Sequence, residues 1–388
     1  MTTTQNIPQG RARIAPTADT TQQRFEQLDS LRGLAALAVV FGHLTNVFRV
    51  ETGPYLATHQ AIIFIQKTPL NLFIAAHEAV VLFFCLSGFV LYLPFRKNRV
   101  QPYPRYLIKR ICRIYLPYLA TVLLALGLVA VIPHAQQPDL STWFNSPWQS
   151  IDMGNIMGHL LLIGVFDAAL LAPVFWSLII EMRVSLVYPL LGWFVQRQSV
   201  WLLLAATLAL MIGGLGLRFV AEEMFGSTGD LDLTIIYTGC FIAGAALARF
   251  QSEVGTWVAA RPRPQRVLFF VLGILLYSGT RILTFPYTFT ADTIITVGSI
   301  TIMAISLTSS RISHLLTRPF ALWLGRISYS VYLLHVLVIL TMFHLLHGLI
   351  PAWSIALIVV VLTLGLGHVF HEYVERPAMR LGKKLTKA

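Results

Sequence analysis

Residues 156–172, IMGHLLLIGVFDAALLA, decide how the rest of the chain is read. The stretch is apolar, but it carries His159 and Asp167 and runs into Pro173. If it crossed a bilayer, every basic loop after it would change sides. It is therefore read as an interfacial or re-entrant helix, with three spans before it and seven after. The composition around it already demands a membrane. The 388 residues are 56% hydrophobic and 12% charged, with a mean hydropathy of +0.69, whereas soluble domains carry about 25% charged residues. Soluble enzymes, disordered scaffolds and nucleic-acid readers are excluded, although a formal charge of +12 and a pI near 9.9 would otherwise invite the last.

A helix needs roughly 20 apolar residues to cross about 30 Å of hydrocarbon. Such runs lie at 31–48, 72–95, 114–132, 174–195, 200–220, 233–250, 267–283, 291–309, 327–346 and 352–373. Lys and Arg collect in cytoplasmic loops. With the N-terminus placed inside, 24 of the 29 basic residues fall in inner segments; only Arg49, Lys67, Arg218 and Arg281 fall outside, and Arg183 lies within a span. The expected fold is an all-α, polytopic transmembrane helix bundle of about ten spans with both termini cytoplasmic. Its parts would be a mobile tail (1–27), a membrane domain (28–378) and a basic tail (379–388). The first segment has no apolar stretch and does not read as a signal peptide. Cys85, Cys112 and Cys240 form neither a CxxC nor a Cys/His cluster, so neither a zinc site nor a disulfide framework is expected.

Ionisable groups inside hydrocarbon cost a few kcal/mol and tend to mark function. Here they are Arg32, His43, Glu78, Glu181, Arg183 and His335. Arg32 and His43 sit eleven positions apart, about 1100° of helical rotation, so they share one face about 16.5 Å apart along the axis. Either Arg32 snorkels and His43 bonds a neighbouring carbonyl, or the pair lines one functional wall. Arg110 and Arg113, at i, i+3 within the basic stretch 96–113, either fix orientation or converge on a phosphate, whose oxygens suit guanidinium forks. In FWSLIIEMRVSLVYP (175–189), Ser177, Glu181, Ser185 and Tyr188 recur at spacings of 4, 4 and 3 on one face. Arg183 points some 200° away from Glu181, and Glu78 is its expected partner. Ser87 and Gly88 read first as a close helix approach, and no GxSxG elbow, P-loop or GxGxxG fingerprint is present.

Taken in order, LDSLRGLAALAVVFGHL (28–44), LFFCLSGFVLY (82–92), KRICRIYLPY (109–118), the Glu181 segment, GRISYSVYLLH (325–335) and YVERP (373–377) resemble the acyltransferase 3 family of integral membrane acyltransferases. That family includes polysaccharide O-acetyltransferases and macrolide O-acyltransferases. The resemblance implies transfer of an acyl group, acetyl being expected, from cytoplasmic acyl-CoA to a hydroxyl of a carbohydrate, glycolipid or macrolide-like acceptor. Acyl-CoA is then a co-substrate and no bound cofactor or metal is expected. The implied location is the inner membrane of a bacterium, with the lipid bilayer and not nucleic acid as surroundings. The resemblance implies His43 as general base, Glu181 as the matching buried acid, and Arg32, Arg110 and Arg113 as contacts for the CoA phosphates, with Arg32 and Glu181 counted with His43 as catalytic. Trp176, Ser177 and Tyr188 are expected as further substrate contacts. The chain departs from the family at Val184 and Ser185, where an aromatic pair is usual, and at Arg183; the soluble esterase-like domain fused to some members is not expected. Direct transfer and an acyl-enzyme on His43 or Ser87 both remain open, and the rival class is a permease or flippase for a glycan.

Overall fold

The computed structural model describes residues 25–149, 151–162, 166–225, 230–281 and 289–387; residues 1–24 of the expected N-terminal tail lie outside them. The described residues are 83% helical with no strand. The long helices are α1 (Glu26–Val47), α2 (Ala76–Arg96), α3 (Tyr103–Val131), α4 (Phe175–Arg197), α5 (Val200–Phe225), α6 (Leu231–Arg249), α7 (Arg263–Ser278), α8 (Phe289–Thr308), α9 (Pro319–Leu346) and α10 (Ala352–Leu385). Among the described residues nine of these are long and apolar enough to cross a membrane. The exception is α7, whose 16 residues rise only about 24 Å; the end of its expected span, 282–283, lies outside the described residues. The described residues of 156–172 hold no long helix. Met153–Leu161 has nine residues and ends on Leu162 in the left-handed conformation, far short of a crossing. At the other end, the basic residues after 378 continue α10 as helix to Leu385.

The central helix is α2, packed against α6, α1, α8 and α4, while α1 is held against α9 and α9 against α10. The apolar run expected from residue 72 divides before α2 starts, into a tight turn at Pro69–Phe73 and the helix proper from Ala76. Small residues set how closely the helices cross. A Cβ on Gly88 would lie 2.0 Å from the Phe241 carbonyl oxygen, and one on Gly244 would lie 1.9 Å from that of Cys85. The expectation that Gly88 serves helix approach thus has a definite partner, α6. In the same way Gly33 of α1 meets Gly325 of α9.

Two helices carry a π-bulge, α3 at Ile111–Tyr115 and α10 at His371–Glu375. Each ends two residues before a proline, Pro117 and Pro377. Proline offers no N–H and its ring crowds the carbonyl four residues back, and widening the preceding turn to i→i+5 relieves that conflict. Each bulge packs against the helical segment that follows the other, and their re-aimed side chains meet where Arg113 Nη1 lies 4.0 Å from Glu375 Oε1.

Candidate active site

A chamber of about 410 Å³ opens at the Arg32 end of the bundle. Arg32, Arg110, Arg113 and Lys109 face it with Asp29 and Glu181, and Ser87 and Ser177 form part of its deeper wall. Arg110 and Arg113 flank the start of the α3 bulge, and both line this chamber. Arg110 lies over the Tyr106 ring at 5.9 Å. Arg32 stands 3.7 Å from Asp29 one turn earlier. Beside the bulge of α10, the buried Glu375 accepts from Ser330 Oγ at 2.7 Å, pairs with His371 Nδ1 at 3.0 Å, and backs Arg113. Ser87 Oγ donates to Glu181 Oε1 at 3.1 Å.

From the opposite end of α1 a second chamber of about 510 Å³ reaches His43, between Trp143, Trp176, His77 and Tyr237. Both chambers are lined by Val80 and Tyr332, so these two side chains stand in the wall between them. Ser177 Oγ donates to the Val174 carbonyl at 3.0 Å and lies 2.6 Å from the Tyr332 hydroxyl, which therefore supplies the proton of that contact. The shared face of Arg32 and His43 thus serves two chambers in series rather than one wall.

The hydrogen bonds around His43 fix its tautomer. His335 Nδ1 lies 3.2 Å from the Val331 carbonyl oxygen, an acceptor only, so Nδ1 carries the proton and Nε2 the lone pair. His43 Nδ1, 2.9 Å from that Nε2, must then be the donor. His43 Nε2 is left as a proton acceptor, the state a general base requires. The two imidazoles lie nearly parallel, 3° between planes and 5.1 Å between centroids, and Trp143 flanks His43 at 5.2 Å.

The structure brings Arg32, Arg110, Arg113, Ser177 and Glu181 to the first chamber and His43 and Trp176 to the second. It does not bring Tyr188 to either. That side chain is 1% exposed and donates to the Gly88 carbonyl at 2.7 Å, an oxygen left open by the missing glycine side chain. Ser185 is likewise fully buried, its carbonyl accepting from Tyr106 at 2.8 Å. The polar stripe of α4 shares one angular face, but its lower half is packed away from the cavity, Tyr188 against the α2 backbone and Ser185 beside Tyr106 of α3.

The expected Arg183–Glu78 pair is corrected. Glu78 accepts from Arg281 Nε at 3.1 Å, because both sit at the His43 end where α2 begins and α7 ends. The charge facing Arg183 is Asp230, whose carboxyl burial raises above the usual range while Arg183 opposes the rise. Arg218 similarly closes onto Asp232 at 2.6 Å, and His77 onto Asp292 at 2.6 Å. Sequence reasoning named His335 without a role and did not single out Tyr332 or Trp143. Tyr332 and His335, three apart on α9 and so on one face, were the available signal.

Together these features define a multi-pass membrane protein with a charged chamber and a histidine chamber sharing one wall. The chain belongs to the acyltransferase 3 family, whose model, described as an acyltransferase domain, matches residues 25–371. The protein is accordingly a membrane acyltransferase. No curated protein and no solved structure matches the chain.

Proposed function

We propose that the protein transfers an acyl group, acetyl in the simplest case, from acyl-CoA held in the Arg32 chamber to a hydroxyl of a carbohydrate or similar acceptor held in the His43 chamber. The observation that carries this reading is the pair of chambers entered from opposite ends, with Val80 and Tyr332 lining both. The basic asymmetry of the loops supports an Arg32 end in the cytoplasm, where acyl-CoA is made, and the family resemblance supports the inner membrane of a bacterium as the location. Phosphates of the donor bind Arg110, Arg113 and Arg32 through charge-assisted bonds. The acyl-bearing arm then runs along α1 toward Tyr332.

Transfer follows the tautomer. His43 Nε2 takes the proton of the acceptor hydroxyl, the hydroxyl oxygen bonds to the thioester carbonyl carbon, and the C–S bond breaks to release the CoA thiolate, which then takes a proton. His335 accepts the His43 Nδ1–H and so favours the imidazolium formed in the transition state. Tyr332, held by Ser177, which is held in turn by the Val174 carbonyl, gives the wall a fixed position against which the thioester is placed. Glu181 holds Ser87 and sets the polarity of the wall below.

The test uses purified protein in vesicles, with acetyl-CoA at one face and a soluble glycan acceptor at the other. Release of CoA thiol should require both substrates and should stop when they share the wrong face. Acceptor movement with no acyl-CoA present would instead establish a permease. In cells, glycans of a deletion strain should lose one acyl mass increment.

A further inference from the structure

Away from both chambers, α7 and α8 form a splayed pair. Toward the His43 end they touch closely: a Cβ on Gly298 would lie 2.4 Å from the Tyr277 backbone nitrogen, and one on Gly273 would lie 2.9 Å from the Thr301 side chain. Below that contact they part, and the gap is a cleft of about 720 Å³, larger than either chamber of the active site. Its walls are apolar, from Phe269 and Phe270 of α7, Ala304 and Ile305 of α8, and Val254 and Trp257 of the short helix Gln251–Ala259. From Ile300 to Thr308 the cleft runs eight residues, about 12 Å along α8, most of one leaflet's share of a roughly 30 Å hydrocarbon core.

The mouth differs from the walls. Arg263, Arg266 and Arg311 line it, exposed, with the hydroxyls of Ser309 and Ser310, and no acidic residue lines the cleft. Among the described residues none of the three arginines is in an ion pair. The mouth lies at the same end of the bundle as Arg32, since the neighbouring helix Ser310–Leu316 accepts from Gln27 Nε2 of α1 at 2.7 Å through Ser313. Three unpaired guanidinium groups above an apolar slot of leaflet depth match one ligand chemistry: a phosphate headgroup carrying acyl chains.

We infer that this cleft is a specific site for one anionic glycerophospholipid of the leaflet at the Arg32 end, its phosphate on Arg263, Arg266 and Arg311 and an acyl chain between α7 and α8. The lipid fills the wedge that the Gly273 and Gly298 contacts leave open, and so braces α7, the shortest of the long helices. The site is separate from catalysis and does not depend on the reaction assigned above.

Native mass spectrometry of the full-length protein, delipidated and then titrated with phosphatidylglycerol, phosphatidylcholine or glycerol 3-phosphate, tests it. The wild type should retain one phosphatidylglycerol in preference to phosphatidylcholine and should not retain glycerol 3-phosphate. Replacing the three arginines together by Gln should weaken phosphatidylglycerol retention about 100-fold, and Ala304→Phe, which fills the slot and keeps the arginines, should also displace it. A photo-crosslinking residue at Phe270 in the otherwise unchanged protein should capture phospholipid, which keeps the test independent of how the variants fold. Equal retention of neutral and anionic lipid, unchanged retention in both variants, or capture of a protein segment at Phe270 would each overturn the assignment.

Discussion

In the Arg32 chamber four basic side chains, Arg32, Lys109, Arg110 and Arg113, face two carboxylates, Asp29 and Glu181. In the His43 chamber most charges are closed on one another, Arg281 on Glu78, Arg218 on Asp232 and His77 on Asp292, while Arg49 lines it without an ion pair among the described residues. The first wall has positive charge to spare and suits a polyanionic donor. The second offers aromatic faces and already satisfied polar groups, which suits a neutral acceptor whose hydroxyl must meet an unprotonated histidine. On the proposed reading the bundle separates charge recognition from proton transfer, and each prediction below presses on one side of that separation.

The largest effect should come from His43. His43→Ala should insert and bind acyl-CoA normally yet lose about 10²- to 10⁴-fold in turnover, the usual contribution of a positioned base. His43→Gln keeps a hydrogen bond to His335 but cannot take the proton, and it should fall nearly as far. Near-normal turnover in a well-assembled Gln variant would make the histidine a structural element and remove the chemistry from the second chamber.

The next effect is in stability. His159, on the short helix beside the bundle, is buried, with its Nδ1 2.8 Å from the Tyr118 hydroxyl. Burial pushes its pKa down from 6.5 to about 4. Below pH 6.5 the unfolded chain therefore binds a proton that the folded chain refuses. Stability should decline as the pH falls from about 6.5 and stop declining near 4, by about 2 kcal/mol at pH 5 and about 3 kcal/mol in full. Thermal unfolding in detergent between pH 7 and 5 measures this. His159→Gln should flatten the profile, and an unchanged slope in that variant would assign the acid sensitivity elsewhere.

For the donor side, Arg110→Ala and Arg113→Ala should each raise the KM for acyl-CoA about tenfold to a hundredfold, the equivalent of about 1.5–3 kcal/mol per charge-assisted contact. Acceptor KM should hardly move. Arg113→Ala also strips a charge from beside the buried Glu375, so it should lower thermal stability where Arg110→Ala does not. Lys at either position keeps the charge without the fork and should rescue only partly. If both variants kept the donor KM of the wild type, the basic wall would serve orientation alone.

These contrasts also mark what was legible in the sequence. Apolar length and helical periodicity act locally, so the long helices, the shared stripe of Arg32 and His43, and the short helix in 156–172 could be read directly. Contacts between distant segments leave no such trace. His43 and His335 are 292 residues apart, Glu78 and Arg281 are 203, and Glu78 was assigned instead to the nearer Arg183. The bulges of α3 and α10 were signalled by Pro117 and Pro377, but the angle by which they turn Arg113 and Glu375 toward each other was not. Tyr188 shows the limit of periodicity, which gives the face of a helix but not the depth at which a cavity ends.

The smallest effect expected is at Ser87, and it bears on which side of the wall the chemistry lies. Its hydroxyl donates to Glu181 at 3.1 Å and lines the Arg32 chamber, while the nearest histidine pair faces the other chamber through His43. A serine nucleophile needs a base within hydrogen-bond reach, and the group within reach of this one is a carboxylate that already accepts its proton. Ser87→Ala should therefore cost about 1 kcal/mol, the worth of one ordinary hydrogen bond, and lower kcat/KM by less than about tenfold. Rapid mixing of acyl-CoA with enzyme and no acceptor should show no burst of CoA thiol. A burst that disappears in Ser87→Ala would place an acyl-serine on the pathway and move the first bond-breaking step into the Arg32 chamber, leaving His43 only the second.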